Sequence, residues 1–169
     1  LEAMGGSRYT SVAPAEPVPV VLAALGPKML ELAAEKTAGA HPYNTTPEHT
    51  AMARDVMGPD AGLYVEQKVL LTADAEQARA TGASVLKFYS RAPGYVNAWK
   101  RMGFTDDDIS GLSDRLVDAV VAWGTADQIE ARLQEHADAG ATHVCIHPLD
   151  PVTGQGAPDG AALEALAPS

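Results

Sequence analysis

The clearest hydrophobic pattern in this chain lies between residues 19 and 40. An uncharged apolar run, Val20–Leu25, is followed by Gly26-Pro27, after which apolar residues recur at helical spacing as far as Ala38. Pro27 suits the first position of a helix, where its missing N–H has no intrahelical bond to lose, and Gly39 suits the residue just past the helix end. The pattern predicts a buried strand, a short glycine turn and a helix.

The same alternation of short apolar runs and amphipathic helices continues to the C-terminus. Helix start signals occur at Thr46, Asp74, Ser113 and Thr125, and the helix from Ser113 is predicted to run through Trp123. Helices that alternate with apolar strands are typical of a parallel sheet with right-handed crossovers. The pattern predicts an α/β fold with four strands: Val20–Leu25, Ala40–Tyr43, Tyr64–Thr72 and Thr142–Leu149.

Composition and charge narrow the functional classes. The 169 residues carry 12 Lys+Arg against 22 Asp+Glu, a net charge of −10, which argues against a nucleic-acid or anionic-membrane partner because either would need a basic surface. The single cysteine excludes an internal disulfide and suits a cytoplasmic protein. We see neither an apolar run of membrane-spanning length nor a signal-peptide pattern at the N-terminus.

The turn at Leu25-Gly26-Pro27-Lys28 is the best candidate binding site. Ligands of parallel α/β folds gather at the carboxyl ends of strands, and the N-terminus of a helix offers unpaired N–H groups to an anion such as phosphate. A plain tight turn would explain the same four residues equally well. The sequence by itself leaves these two interpretations open.

Histidines near the ends of two predicted strands are secondary candidates. His41 ends the second strand, where a structural role is the stronger interpretation, and His147 lies near the carboxyl end of the last. His143, Cys145 and His147 alternate and so share one face, but neighbours at this spacing are about 7 Å apart, a poor fit to a compact tetrahedral metal site. We therefore predict no metal, and the chain has no arrangement typical of a serine hydrolase.

Two segments of this chain resemble the luciferase-like monooxygenase superfamily. They are VVLAALGPKMLELAAEKTAGAHPYNTTPEH and WGTADQIEARLQEHADAGATHVCIHPL, and the resemblance is closest to the oxidoreductases that use the deazaflavin coenzyme F420. It implies a (β/α)8 TIM barrel of which this chain matches only the C-terminal half, about four parallel strands with helices. Leu1–Pro19, which by composition alone resembles a loose N-terminal arm, would then be a connector from the missing N-terminal half, and 20–169 the half-barrel.

The resemblance also implies which residues contact the cofactor. The turn after the first strand would hold the cofactor's phosphate side through backbone amides, the tip of the next strand would lie near its tail or ring edge, and a TPE motif would start the following helix. A small residue often precedes the glycine of this turn in the family, whereas this chain has Leu25. No catalytic acid or base can be carried over. The implied cofactor-binding residues are Ala24, Leu25, Gly26, Pro27, Lys28, Ala40, His41, Pro42 and Thr46.

These implications lead to two functional hypotheses. The first is an oxidoreductase domain that binds reduced F420, or FMN in its place, for hydride transfer to a small organic substrate. As an isolated half it is expected to show little turnover unless a homodimer or the N-terminal half closes the barrel, because an open parallel sheet exposes apolar edges. The alternative is a non-catalytic half-barrel that binds a phosphorylated ligand or serves assembly. An isomerase would need a carboxylate at a strand end, and the only candidates, Glu66 and Asp150, are unconvincing.

Overall fold

A parallel sheet lies at the centre of the computed structural model, which describes residues 14–154 and 157–167. In this part of the chain the sheet has five strands, and β3 is its central strand. The sheet continues from one edge of β3 to β2 and then β1, while β5 pairs with β3 along Tyr64–Val69. Every pairing is parallel, which confirms the predicted α/β fold. The strands are β1 (Val21–Leu22), β2 (Gly39–Ala40), β3 (Gly62–Leu71), β4 (Val121–Gly124) and β5 (His143–Pro148).

The helices begin where the sequence places capping residues. The side chains of Thr46, Asp74, Ser113 and Thr125 each accept a hydrogen bond from a backbone N–H in the first turn of the helix that follows. The helices are α1 (Pro27–Lys36), α2 (Pro47–Met57), α3 (Ala75–Tyr89), α4 (Pro93–Arg101), α5 (Asp106–Gly111), α6 (Asp114–Val120), α7 (Ala126–Asp138) and α8 (Gly160–Ala165).

The first two strands are shorter than predicted, and two helix boundaries were wrong. Helix α1 ends at Lys36, so Gly39 does not cap it but lies in β2, where its φ of 151° and the close approach of the Gly62 backbone both require glycine. The helix predicted through Trp123 ends at Val120, and the next four residues form β4 against Lys68–Leu71. An apolar run suits a buried helix or a buried strand, so only the available pairing partner decided between them.

The two faces of the sheet differ in polarity. Leu63, Val65 and Val69 point towards α1, α2 and α7 and are fully buried there. The opposite side, which we call the open face, carries Tyr64, Glu66 and Lys68 of β3 together with His143, Cys145 and His147 of β5, because residues in register on parallel strands share a face. His143 and His147 are exposed, whereas Glu66 and Lys68 are buried.

A helical excursion, α3 to α6, covers the carboxyl end of the sheet. Its apolar side chains, including Leu86, Trp99 and Leu116, form one core with Leu70 of β3 and Leu149 just after β5. The Trp99 indole N–H donates to the carbonyl of Asn44 at 3.0 Å and so ties α4 to the loop after β2. The excursion is therefore held rigidly above the strand ends.

Little of the predicted N-terminal connector falls within the described residues. Of the predicted connector Leu1–Pro19, residues 1–13 lie outside the described residues, and residues 14–19 are exposed and belong to neither a helix nor a strand. Within the described part of the chain, none of the helices is long and apolar enough to cross a membrane.

Candidate functional site

The turn between β1 and α1 lies at the carboxyl edge of the sheet, as the sequence predicts. Gly26 is the N-cap of α1 in an extended conformation, Pro27 follows at the first helical position, and no side chain caps the helix. Met29 and Leu30 both donate to the Gly26 carbonyl at 3.0 Å, whereas the N–H groups of Gly26 and Lys28 have no acceptor among the described residues. The turn thus presents backbone donors at the positive end of the helix dipole.

A cavity of about 400 Å³ opens beside this turn. We call it the edge cavity. The strand ends form one side of the cavity and α4 forms the other, so the sheet and the helical excursion both contribute residues to the site. The lining residues are Ala23, Ala24, Leu25, Gly26, Met29, His41, Tyr43, Gly94, Tyr95, Asn97 and Arg101.

The predicted cofactor residues divide into four groups. Ala24, Leu25, Gly26 and His41 line the edge cavity. Pro27 and Thr46 instead line a neighbouring cavity of about 640 Å³ between α2 and the excursion, and Lys28 is exposed and lines neither cavity. Ala40 is fully buried among core residues, and Pro42 is buried with its carbonyl accepting the Glu66 N–H. The assignment of all nine residues to a cofactor stays a prediction.

Arg101 is a site residue that sequence reasoning missed. It is the last residue of α4, and its guanidinium lies 3.5 Å from the Leu25 carbonyl oxygen. Its Nη2 is also 3.4 Å from the point that a β-carbon on Gly26 would occupy. No carboxylate pairs with it within the described ranges, so its charge is available to a ligand. Nothing near Arg101 in the sequence signals a contact with a residue 76 positions earlier.

His49 supports the turn from beneath. It is 3% exposed, and its Nε2–H donates to the Leu25 carbonyl at 3.0 Å. Burial lowers the pKa of His49; the bond to Leu25 opposes this change and the charge of Arg101 adds to it. A neutral ring with its proton on Nε2 is therefore held in place at neutral pH. His49 is thus a buried packing residue beneath the turn.

A polar cluster, defined here as Tyr43, Glu66, Lys68 and His147, occupies the open face next to the edge cavity. Oε1 of Glu66 lies 3.0 Å from Lys68 Nζ and 3.3 Å from His147 Nδ1. The Tyr43 hydroxyl is 2.9 Å from the same His147 nitrogen, and Lys68 Nζ is 3.8 Å from the centre of the Tyr43 ring. The cluster joins β3, β5 and the loop after β2 through side chains alone.

Ionisation within the cluster follows from burial and pairing. Burial opposes the ionisation of Glu66, but hydrogen bonds from His147 and Lys68 outweigh it and leave the pKa of Glu66 below its ordinary value. Burial lowers the pKa of Lys68 against the attraction of the Glu66 carboxylate. Burial and the Glu66 charge raise the pKa of Tyr43, so its hydroxyl keeps its proton. We take Glu66 as ionised, since two donors meet one of its oxygens.

The other candidate side chains make hydrogen bonds to the backbone. His41 bonds through Nδ1 to the Tyr64 carbonyl at 2.6 Å, which fixes the proton on that nitrogen because a carbonyl can only accept. Asp150 accepts bonds from Val152 and Thr153 and so caps a turn. Among the described residues, no group of three or more His, Cys, Asp or Glu side chains is placed to hold a metal ion.

Comparison with known proteins decides the family. The sequence model of the luciferase-like monooxygenases matches residues 5–143, most of the chain. This chain belongs to the luciferase-like monooxygenase family. No curated protein matches it at a significant level.

Solved structures agree on the fold of this luciferase-like chain. The F420-dependent tetrahydromethanopterin reductase from Methanopyrus kandleri superposes with a TM-score of 0.62 and 20% identity, over 88% of this chain and 49% of the reductase. An F420-dependent secondary alcohol dehydrogenase, solved with an F420–acetone adduct, gives 0.56 and 13%, over 82% of this chain and 46% of the dehydrogenase. The chain thus spans about half the length of these neighbours and shares their α/β barrel architecture over that half.

Proposed function

We propose that this chain binds reduced F420, or FMN in its place, in the edge cavity and takes part in hydride transfer to an organic substrate. The proposal rests on one observation. Backbone N–H groups without an acceptor at the start of α1 lie at the same cavity as the guanidinium of Arg101, which has no carboxylate partner among the described residues. Family membership supports an oxidoreductase, and the two solved neighbours are named as F420-dependent enzymes.

The residues of the edge cavity fit such a cofactor. In a chain of net charge −10, an anionic phosphate needs a local positive site, which the α1 N-terminus and Arg101 together supply. Next to this site stand Tyr43 and Tyr95, which offer flat apolar surface for a ring system. The chemical fit is that of a phosphorylated aromatic compound.

When bound, the deazaflavin or flavin supplies the hydride. The work of this chain is then to position and shield it. The backbone amide of Gly26 and the guanidinium of Arg101 would hold the phosphate, His49 fixes the Leu25 carbonyl beneath the turn, and α4 covers the cavity. No residue here is assigned as a catalytic acid or base.

We further propose that the open face is covered by the complementary half of a luciferase-like barrel, supplied by a second copy of this chain or by an N-terminal half. Val21 of β1 is 39% exposed and His143 of β5 is exposed, although both lie on a parallel sheet. Parallel sheets are otherwise buried on both faces. The coverage of only about half of each solved neighbour supports this partner.

Calorimetric titration with F420, FMN and inorganic phosphate tests the cofactor site. A methyl group added by Gly26→Ala would enter the space between the turn and Arg101, and the φ of −108° at Gly26 accepts alanine without strain. We expect about tenfold weaker binding of F420 or FMN, the loss of one charge-assisted contact. Gly111→Ala is the matched control, because nothing lies within 4 Å of its added methyl.

Three outcomes of the titration count against the proposal. Unchanged affinity in Gly26→Ala would place the phosphate elsewhere. Binding of phosphate without either cofactor would favour the non-catalytic half-barrel. Binding of none of the three would remove the edge cavity as a phosphate site.

A further inference from the structure

We propose that Tyr43 is the stacking wall for the planar fused ring of the ligand in the edge cavity, held in position by Lys68 and His147. The inference rests on the proposed function and deepens it, since it names the part of the ligand that Tyr43 selects. It concerns a residue that lies outside the turn and does not touch the proposed phosphate seat.

Two contacts fix the Tyr43 ring. Lys68 Nζ stands 3.8 Å from the ring centre, and the hydroxyl is 2.9 Å from His147 Nδ1. A ring with one face against a buried ammonium and its tip in a hydrogen bond has little freedom about χ1 and χ2. Since Tyr43 also lines the edge cavity, part of its remaining surface faces the ligand space.

The position of Lys68 against the Tyr43 ring explains why this charged residue is buried. Its side chain is 0% exposed, and a buried ammonium is costly unless it is paired. Glu66 provides the pairing at 3.0 Å, and the rings of Tyr43 and Tyr89 provide the rest of the surroundings at 3.8 and 5.2 Å. An apolar side chain would fill the same space without the cost, so the cation is best explained by its effect on the ring above it.

The aromatic wall extends beyond Tyr43. Tyr89 lies 5.7 Å from Tyr43, and Tyr95, which also lines the edge cavity, lies 4.9 Å from Tyr89. This chain of rings holds Tyr43 from the side of the helical excursion. A flat ligand meeting Tyr43 therefore meets a surface that is already ordered, which lowers the entropic cost of binding.

The test separates the ring of the ligand from its phosphate. Riboflavin carries the tricyclic ring without phosphate, and inorganic phosphate carries the anion without the ring. We expect Tyr43→Leu to weaken riboflavin binding about tenfold, the scale of one stacking contact, and to leave phosphate binding unchanged. Tyr43→Phe keeps the ring and should stay within about threefold of the wild type. Gly26→Ala should give the reverse pattern.

The role of Lys68 needs a paired change. Lys68→Met combined with Glu66→Gln removes both charges together, so that neither is left buried and unpaired. We expect weaker riboflavin binding, intermediate between Tyr43→Phe and Tyr43→Leu, with phosphate binding unchanged. Riboflavin affinity equal to that of the wild type would remove the positioning role of Lys68.

The outcomes distinguish this inference from the proposed function. If the wild type binds phosphate but not riboflavin, or if Tyr43→Leu binds riboflavin normally, the stacking role is overturned while the phosphate seat stands. If the wild type binds neither probe and also fails to bind F420 and FMN, both proposals fail. Should Tyr43→Leu not fold, nuclear Overhauser contacts between riboflavin and the Tyr43 ring in the wild type decide the matter: their presence supports stacking and their absence overturns it.

Discussion

At the scale of single residues, buried polar side chains carry much of the specificity of this fold. His136 of α7 is fully buried, with Nδ1 2.8 Å from the Thr50 hydroxyl and Nε2 2.9 Å from Gln67 Oε1. The amide nitrogen of Gln67 donates to the carbonyls of Lys68 and Val120, so its oxygen must face the histidine and accept from Nε2–H. His136 thereby links α7, α2 and β3 in a neutral network.

This network predicts a pH dependence of stability. Burial, reinforced by the charge of Arg132, lowers the pKa of His136 to about 4 from an ordinary 6.5. Between these values the unfolded chain binds more protons than the folded chain, so the free energy of unfolding is fully supported above pH 6.5 and falls as the pH drops towards 4, by about 3 kcal/mol at most.

Urea unfolding of the wild type and His136→Gln at several pH values checks this prediction. Glutamine cannot take up the proton, so the stability advantage of the wild type at pH 7.5 should shrink by about 2 kcal/mol at pH 5. An advantage that is the same at both pH values would contradict the assignment. The comparison cancels the contribution of the carboxyl groups, which both proteins share.

At the scale of elements, local capping decides where the helices start. Thr125 and Gln128 form a reciprocal box at the start of α7: the threonine hydroxyl accepts from the Gln128 N–H, and Gln128 Oε1 accepts from the Thr125 N–H at 2.9 Å. α7 follows directly on β4, so its start fixes how the helix meets the sheet.

Removing this cap should destabilise the protein measurably. We expect Thr125→Ala to lower the free energy of unfolding by about 1 kcal/mol, because the Gln128 N–H in the first turn loses the hydroxyl that accepts its hydrogen bond. Thr125→Ser keeps the hydroxyl and should stay close to the wild type. Urea unfolding of both variants is the measurement, and equal stability of the two would show that the box contributes nothing.

At the scale of the whole molecule, the open face dominates the expected behaviour. On β1, a strand at the edge of the sheet, Val21 is 39% exposed, and on neighbouring α1 Met29 and Leu32 are 42% and 38% exposed. An unpaired apolar edge of a parallel sheet invites pairing with another chain. The proposed complementary half-barrel would bury these side chains.

Sedimentation velocity over a range of concentrations tests this proposal. We expect the chain to self-associate, and Val21→Glu to shift the distribution towards the monomer because a carboxylate would be buried at the new contact. Val152→Glu is the matched control, since Val152 is 79% exposed in a turn outside the sheet. A wild type that stays monomeric throughout would exclude a homodimer as the partner.

The sequence by itself determined the elements that depend on local interactions. Side-chain caps at Thr46, Asp74 and Thr125 set helix starts because a cap bonds to N–H groups two or three residues away. The alternation of helices and apolar runs predicted the parallel sheet. The alternate spacing of His143, Cys145 and His147 predicted that these three side chains share one face. The turn at Gly26 was also predicted at the carboxyl edge of the sheet, because in the sequence it directly follows a predicted strand.

Only the tertiary structure decided the contacts between residues far apart in the chain. Val121–Gly124 became a strand because Lys68–Leu71 offered it a partner, which no local pattern could show. Arg101 reached Leu25 because the excursion folds back over the sheet. The burial of a charged residue such as Lys68 depends on which partners surround it. Glu66 lies on the same strand, but the two aromatic rings come from the loop after β2 and from a distant helix. The hydrophobic pattern of a sequence indicates which residues will be buried. Which residues they contact is decided only when the helices and strands pack together.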